Sequence, residues 1–369
     1  MKYDYIILNY YKTSNSPITG GQRRTNALLK YLAAKGNKIT CIYVGTNNTK
    51  IPSTFLRNHI EELNVRATSY DYEIFKEIKT KYNEKVGIDT TLIWSAHKND
   101  ELIDIIKRRA HNSTSIISQH FSFGYLLSQL KQKKILFSHN IENRIKQELW
   151  KNRHLVQLFR QKEYQFIEYF DSVLVCSKTE KQILEKNQSK SKNIKIVPNG
   201  SHFYEFPINR SEKEKDKCIY IGSNWHFNVD GLHRLIELCP KFFENAEVNI
   251  VGSICERLKK QSNFFKSTIH LHGVCSDSNI IEIANKCSFA INPVISGSGS
   301  NVKNADYIAL GLPILTTEFG MRGFEDFRDI FHILPLEEWD NFVSSETKIV
   351  LNEKIREQVS WERSFKDSF

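Results

Sequence analysis

Short runs of β-branched and apolar residues alternate with segments of helical periodicity along most of the chain. This alternation limits the fold more than any single motif. Tyr5–Leu8 reads as a first strand, Thr25–Leu32 as a helix closed by Gly36, and Lys38–Val44 as a second strand. That rhythm belongs to a parallel sheet covered by helices. Similar buried runs recur at Thr91–Trp94, Ser115–Ser118, Ile135–Phe137, Ser172–Cys176 and Ile194–Val197. Ile145–Phe170 reads as a long amphipathic helical region whose apolar stripe is Leu149, Leu155, Leu158, Phe159, Phe166, Ile167 and Phe170.

After Pro198-Asn199-Gly200 the stretch from Asn209 to Lys217 is almost wholly polar and charged, as a linker or exposed loop would be. A second series of strands then begins with Cys218–Gly222 and continues through Val248–Gly252, Ile269–Leu271, Phe289–Asn292 and Ile314–Thr316. At 369 residues the chain exceeds what one core usually serves. The expected fold is α/β, with two Rossmann-like domains facing each other across a deep cleft and a ligand at the strand ends. The expected division is 1–205, 206–345 and a C-terminal helical segment 346–369, with the boundary falling between Pro198 and Lys217.

The stretch from Ile295 to Thr317 carries the densest chemical signal. Gly297, Ser298, Gly299 and Ser300 are small enough for their backbone to approach a ligand closely, and Asn301 leads into a helical pattern. Val302, Ala305, Ile308 and Ala309 fall at helical spacing before Gly311 and Pro313 end it. A helix N-terminus has unpaired N–H groups and a partial positive charge, so it suits an anion. Lys303 adds a full positive charge in the first turn, where the dipole gives no reason for one, and a phosphate ligand would explain it. A surface loop before an ordinary buried helix has the same pattern.

With 40% hydrophobic and 25% charged residues the chain reads as soluble and globular rather than disordered. Its net charge of +10 is uneven: residues 1–205 hold 33 Lys and Arg against 19 Asp and Glu, and the remainder 19 against 23. A basic first half suits an acidic partner such as an anionic membrane surface, a phosphorylated lipid or an anionic polymer; solvated lysines would look alike. The basic clusters are Arg108 and Arg109 with Lys131, Lys133 and Lys134. The seven cysteines, Cys41, Cys176, Cys218, Cys239, Cys255, Cys275 and Cys287, form no Cys-x-x-Cys pair. A reducing, cytoplasmic setting is expected. The N-terminal apolar run is too short for a signal peptide, and none reaches the ~18 residues that span a bilayer. Membrane contact would therefore be peripheral, at the inner face.

Six motifs in order give a more specific reading. They are Gly20-Gly21, His139-Asn140-Ile141-Glu142, Val197-Pro198-Asn199-Gly200, the stretch Gly222-Ser223-Asn224-Trp225-His226-Phe227-Asn228-Val229-Asp230-Gly231, His272-Gly273-Val274 and the Gly-Ser-Gly stretch. Together they resemble a family 4 retaining glycosyltransferase of the GT-B fold (glycosyl transferases group 1), weakly in residues 45–130 and well in residues 197–323. The resemblance implies a nucleotide-sugar donor held mainly by the second domain and a glycan or lipid-linked acceptor held by the first. It also implies transfer with retention at the anomeric carbon and without a metal. No Asp-x-Asp or His-Glu-x-x-His is present, so no metal cage is evident; no cofactor is expected beyond the nucleotide-sugar as co-substrate, and no nucleic acid. Protein cations and backbone N–H groups would then neutralise the leaving group, with Lys303 foremost.

By the same resemblance Gly20 and Gly21 bring N–H groups to the donor phosphates, although a plain strand-to-helix turn would look the same. His139, directly after a strand, contacts the donor sugar near the reacting centre; a hydrogen-bonded structural histidine is the alternative. Ser223, Asn224, Gly273, Ser298, Gly299, Ser300, Asn301 and Asp306 complete the donor-binding set. Trp225 is expected to pack rather than to stack on a sugar, and Asn228 to cap its helix, with a bond to the phosphate as the alternative.

The chain also departs from the family pattern. Asp306 stands where many members place the second glutamate of Glu-x7-Glu, which binds ribose hydroxyls, and Ser298 replaces the first. The Arg and Lys usual after the first strand of the second domain are missing, with Ser223 and Asn224 there instead. Three functions fit this sequence: a glycosyltransferase of cell-surface polysaccharide or glycolipid synthesis, a catalytically silent nucleotide-binding or interaction module, and a nucleotide-sugar epimerase.

Overall fold

The computed structural model describes residues 3–12, 19–45, 54–55, 59–187, 193–208, 216–264, 266–342 and 351–369. The chain forms two compact units, one of Met1–Asn15, Thr25–Val197 and Ser368–Phe369, the other of Ser16–Arg24 and Pro198–Asp367. Most of the polar stretch Asn209 to Lys217, namely 209–215, lies outside the described residues.

The first unit holds eight strands: β1 (Tyr5–Asn9), β2 (Ile39–Gly45), β3 (Thr54–Phe55), β4 (Ile60–Arg66), β5 (Ser115–Ser118), β6 (Lys133–Phe137), β7 (Ser172–Val175) and β8 (Asn193–Ile196). Their order across the sheet is β3-β4-β2-β1-β5-β6-β7-β8. All pairs are parallel except β3 with β4. The strands read as near-continuous apolar runs because helices cover both faces, and Ile6, Leu8, Ile42, Val44, Ile116 and Val173 lie fully buried in one cluster.

The second unit holds β9 (Lys217–Ile221), β10 (Glu247–Val251), β11 (Ile269–Gly273), β12 (Phe289–Asn292), β13 (Ile314–Thr316) and β14 (Phe331–Ile333). The order is β11-β10-β9-β12-β13-β14, all parallel. Both sheets are therefore doubly wound. The chain reverses its direction of travel between β1 and β5 in one and between β9 and β12 in the other, which is where crevices open at the carboxyl ends of strands.

Three expectations about the elements need correction. Thr91–Trp94 is not a strand but part of the helix Ile88–Ser95. A four-residue apolar run does not distinguish the two by periodicity, and the Thr91 hydroxyl, which donates to the Ile88 carbonyl, is satisfied within the helix. The region 145–170 is two helices, Glu142–Leu149 and Arg153–Ile167, because Trp150 takes extended dihedrals and Asn152 caps the second by accepting from the Leu155 N–H. Leu149, at the break, is 39% exposed and leaves the apolar stripe. By contrast Gly36 ends its helix at φ +83°, as a C-terminal glycine does. Near the C-terminus two short helices form, Glu353–Glu357 and Trp361–Phe365. Among the described residues no helix is long and apolar enough to cross a membrane.

Candidate functional site

In the second unit the polar residues gather at the ends of β9 and β12, the switch point of that sheet. β9 stops at Ile221, and Gly222 continues as a tight turn whose N–H donates to the Val251 carbonyl. Gly252, at φ +112°, lets this turn close: a Cβ there would lie 2.1 Å from the Gly222 oxygen. Ser223 is half-buried and Asn224 exposed, its N–H donating to the Ser253 hydroxyl. The helix His226–Leu238 follows. Asn228 does not cap it. Its amide donates to the Ser223 carbonyl and hydroxyl, and its oxygen is held by Lys303. Trp225 does not pack as expected; it is 47% exposed and touches Phe227 edge-on.

The helix Val302–Ala309 begins where the sequence places it, buried along its whole length apart from Val302. Gly297 and Gly299 take positive φ, which the small residues of the preceding loop permit. Arg322 fixes that loop from outside by donating to the Ser298 and Gly299 carbonyls. Gly323, at φ +88°, passes so close to Ser300 that a Cβ would meet its side chain at 2.1 Å. The Asn301 amide donates to the Gly320 carbonyl, and among the described residues no side chain caps the helix, although the Asn304 N–H donates to the Asn301 carbonyl; a helix start of this kind suits an anion.

Lys303 is only 8% exposed. Its ammonium donates to the Tyr220 hydroxyl at 2.9 Å and the Asn228 side-chain oxygen at 2.7 Å, and lies 4.4 Å from the centre of the Tyr220 ring. Among the described residues no carboxylate pairs with it. Burial alone pushes its pKa down to about 7. Asp306, one turn on, is 2% exposed and points elsewhere: it accepts from the Ser201 hydroxyl at 2.8 Å and forms an ion pair with Arg23. Gly20 lies against Val302, whose methyl would be 3.0 Å from an added Cβ, and Gly21 follows in the first turn of the helix Gly20–Ala34. Gly273 takes φ +75° at the end of β11, with open space where a side chain would be.

In the first unit His139 stands just beyond β6, half-buried. Its Nε2 lies 2.9 Å from the Tyr11 hydroxyl, which is 2.9 Å from the Thr25 hydroxyl, and Thr25 donates to Gln119 at 3.2 Å. Tyr11 follows β1 and Gln119 follows β5, so this chain of contacts spans the switch point of the first sheet. The Cys176 thiol donates to the His139 carbonyl at 3.0 Å.

Behind His139 lies a buried charged cluster that sequence reasoning missed. The Lys146 ammonium donates to Asp89 at 2.7 Å. Burial works against the charge of Asp89, yet Lys146 holds its carboxyl below the usual range. Glu163 accepts from the Glu142 and Asn143 N–H groups and the Asn143 amide, and so caps the helix Glu142–Leu149. Burial pushes Glu142 up to about 7 and Glu163 up to about 8. Burial also pushes His120 down to about 4, and among the described residues its Nε2 has no partner. Only Glu142 carried a signal, as the last residue of the His139 motif; the others lie on separate elements that the fold brings together.

The geometry defines a class: two doubly wound sheets, with a helix start that no side chain caps at the switch point of the second. Residues 215–337, which span that sheet and terminus, match the family model described as Glycosyl transferases group 1. Among solved structures the chain is similar to a sucrose-phosphate synthase from Thermosynechococcus elongatus, at 12% identity over 99% of this chain and 97% of that one, with a TM-score of 0.69. An α,α-trehalose-phosphate synthase (UDP-forming) from Burkholderia xenovorans gives 9% identity, 98% of both chains and 0.65. A trehalose-6-phosphate protein from E. coli gives 10%, 98% and 94%, and 0.60. No curated protein matches in sequence. The fold is thus the glycosyltransferase type of α/β architecture, GT-B.

Proposed function

We propose that this protein is a retaining glycosyltransferase of the family 4 kind. It moves a sugar from a nucleotide-sugar donor to a glycan or lipid-linked acceptor in cell-surface polysaccharide or glycolipid synthesis. The observation that carries this reading is the buried ammonium of Lys303, which has neutral partners and no anion. Removing a cation from water without a counter-charge costs several kcal/mol, and a fold keeps such a group where a ligand supplies the missing charge. A donor diphosphate at the uncapped helix end would do so, and would leave with its developing charge met by Lys303 and backbone N–H groups, with no metal required.

The neighbours support the ligand class. The E. coli protein is bound with UDP-2-fluoro glucose, and the Burkholderia xenovorans enzyme is in complex with glucose-6-phosphate. The Gly299 and Ser300 backbone, Ser298, Asn301, Ser223, Asn224, Gly273, Gly20 and Gly21 would shape the donor site, and the first unit would take the acceptor with His139 beside the reacting sugar. Peripheral contact with an anionic inner membrane face rests on the exposed Lys131 and Lys133; Arg109 is paired with Glu61, and Lys134 lies near Asp171.

The experiment is a panel of nucleotide-sugars with sugar, sugar-phosphate and lipid-linked acceptors, with the product anomer read by NMR. Lys303→Ala should lower turnover by an oxyanion-type loss of roughly 3–4 kcal/mol. His139→Ala should lower turnover more than it weakens donor binding. Nucleotide binding without transfer to any acceptor would favour a silent binding module instead, and interconversion of the donor sugar an epimerase.

A further inference from the structure

We infer that Asp306 is a positioning residue rather than a ribose ligand, and that it holds Arg23 as a second cation for the donor diphosphate. The inference rests on the donor reading above and gives that site a residue that neither the motifs nor the usual Glu-x7-Glu pattern assigns.

Both oxygens of the Asp306 carboxylate are in use. One accepts from Ser201 at 2.8 Å and the other from Arg23. At 2% exposure the carboxylate reaches a ribose only by giving up a buried ion pair, which leaves a charge uncompensated. Asp is also one methylene shorter than the glutamate it replaces, so it stops short of where a longer acid would present its oxygens.

Arg23 is well placed for an anion. It lies in the first turn of the helix Gly20–Ala34, whose glycine start packs against Val302 at the uncapped end of the helix Val302–Ala309. The next residue, Arg24, is wholly buried and reaches Asn199, which in turn donates to Ser300, so the same turn is tied at two points to the donor loop. Only one guanidinium nitrogen of Arg23 is engaged among the described residues, and its side chain is 23% exposed. Among the described residues its other guanidinium N–H groups have no protein partner. A planar fork anchored at one prong by a carboxylate offers its remaining N–H groups in fixed directions, the arrangement suited to a phosphate. It answers the absence of the Arg and Lys usual after the first strand of the second unit, where Ser223 and Asn224 stand.

The test is calorimetric titration of the wild-type chain with uridine, guanosine and adenosine diphosphates. The tightest of them is then compared with its nucleoside and its 3′-deoxy form. Arg23→Ala should weaken the diphosphate by roughly 10- to 100-fold and leave the nucleoside within a few-fold, as loss of a charge-assisted hydrogen bond does. Asp306→Ala should show the same diphosphate-selective loss, and the double variant should be no worse than either single one, since both remove one unit. Arg23→Lys, which keeps the charge but not the fork, should recover part of the affinity. The inference is overturned if Arg23→Ala binds the diphosphate like wild type. It is equally overturned if Asp306→Ala weakens nucleoside and diphosphate alike and becomes indifferent to the 3′-hydroxyl. If the wild-type chain binds none of these nucleotides, the donor reading itself fails and the inference with it.

Discussion

The two units each bury a lysine, in opposite ways. In the first, Lys146 is matched by Asp89, Glu163 by three N–H donors at a helix start, and Glu180 by the Ile141 and Cys176 N–H groups. In the second, Lys303 is as deeply buried but, among the described residues, meets only a phenol and an amide oxygen. A buried charge with its partners is part of the scaffold, and breaking it costs stability; one without them is a place prepared for something else. The contrast separates architecture from ligand chemistry within one chain. In the proposed reading the second unit would meet a donor's charge, while His139 of the first is held by Tyr11 and Cys176.

The contrast breaks most readily at Lys146. Lys146→Met leaves Asp89 buried without its partner and should destabilise the first unit by about 3–5 kcal/mol in denaturant unfolding. A loss below about 1 kcal/mol would mean that this cluster is not structural. Lys303→Met should do the opposite to stability, leaving the second unit unchanged or more resistant to unfolding, because it removes an uncompensated cation at the cost of its hydrogen bonds to one phenol and one amide oxygen. Marked destabilisation with donor binding intact would reverse the assignment.

The pH dependence sharpens the same comparison. Glu142 and Glu163 have folded pKa values of about 7 and about 8, above the ordinary 4.5, so the folded first unit binds more protons than the unfolded chain between those limits. Their stabilisation is full below pH 4.5 and is lost as pH rises through 7 and 8. Lys303 has its pKa lowered from 10.5 to about 7, so there the unfolded chain binds more protons and stability rises with pH above 7. Thermal midpoints followed from about pH 6.5 to 9 should therefore lose their downward component in Glu163→Gln and their upward component in Lys303→Met. A profile left unaltered by both substitutions would contradict the opposed slopes. The smallest effect is expected of Tyr11→Phe, which takes one hydrogen-bond partner from His139 and should reduce turnover by no more than about tenfold. A larger loss would make the Tyr11–Thr25–Gln119 chain part of the chemistry.

Particular residues mark how far the sequence was legible. The run Cys218–Gly222 and the spacing of Val302, Ala305, Ile308 and Ala309 placed β9 and the helix Val302–Ala309 almost to the residue, because both lie in a core where apolar period and glycine boundaries are read locally. Thr91–Trp94 misled for the converse reason: a short apolar run gives no period, and the tertiary surroundings made it helix. Asn228 was read as a cap because its position suited one, yet a lysine 75 residues away claims its oxygen.

The sequence by itself determined the doubly wound sheets, the glycine- and serine-rich turn into a helix, and the presence of Lys303 and Asp306 one turn apart, since all of these depend on neighbours within a few positions. Only the tertiary structure decided what those side chains meet. Tyr220 and Asn228 beside Lys303, Arg23 and Ser201 on Asp306, and Asp89 on Lys146 come from elements tens to hundreds of residues distant. Chain folding sets their distances, and the loss of water around them sets the strength of their charges.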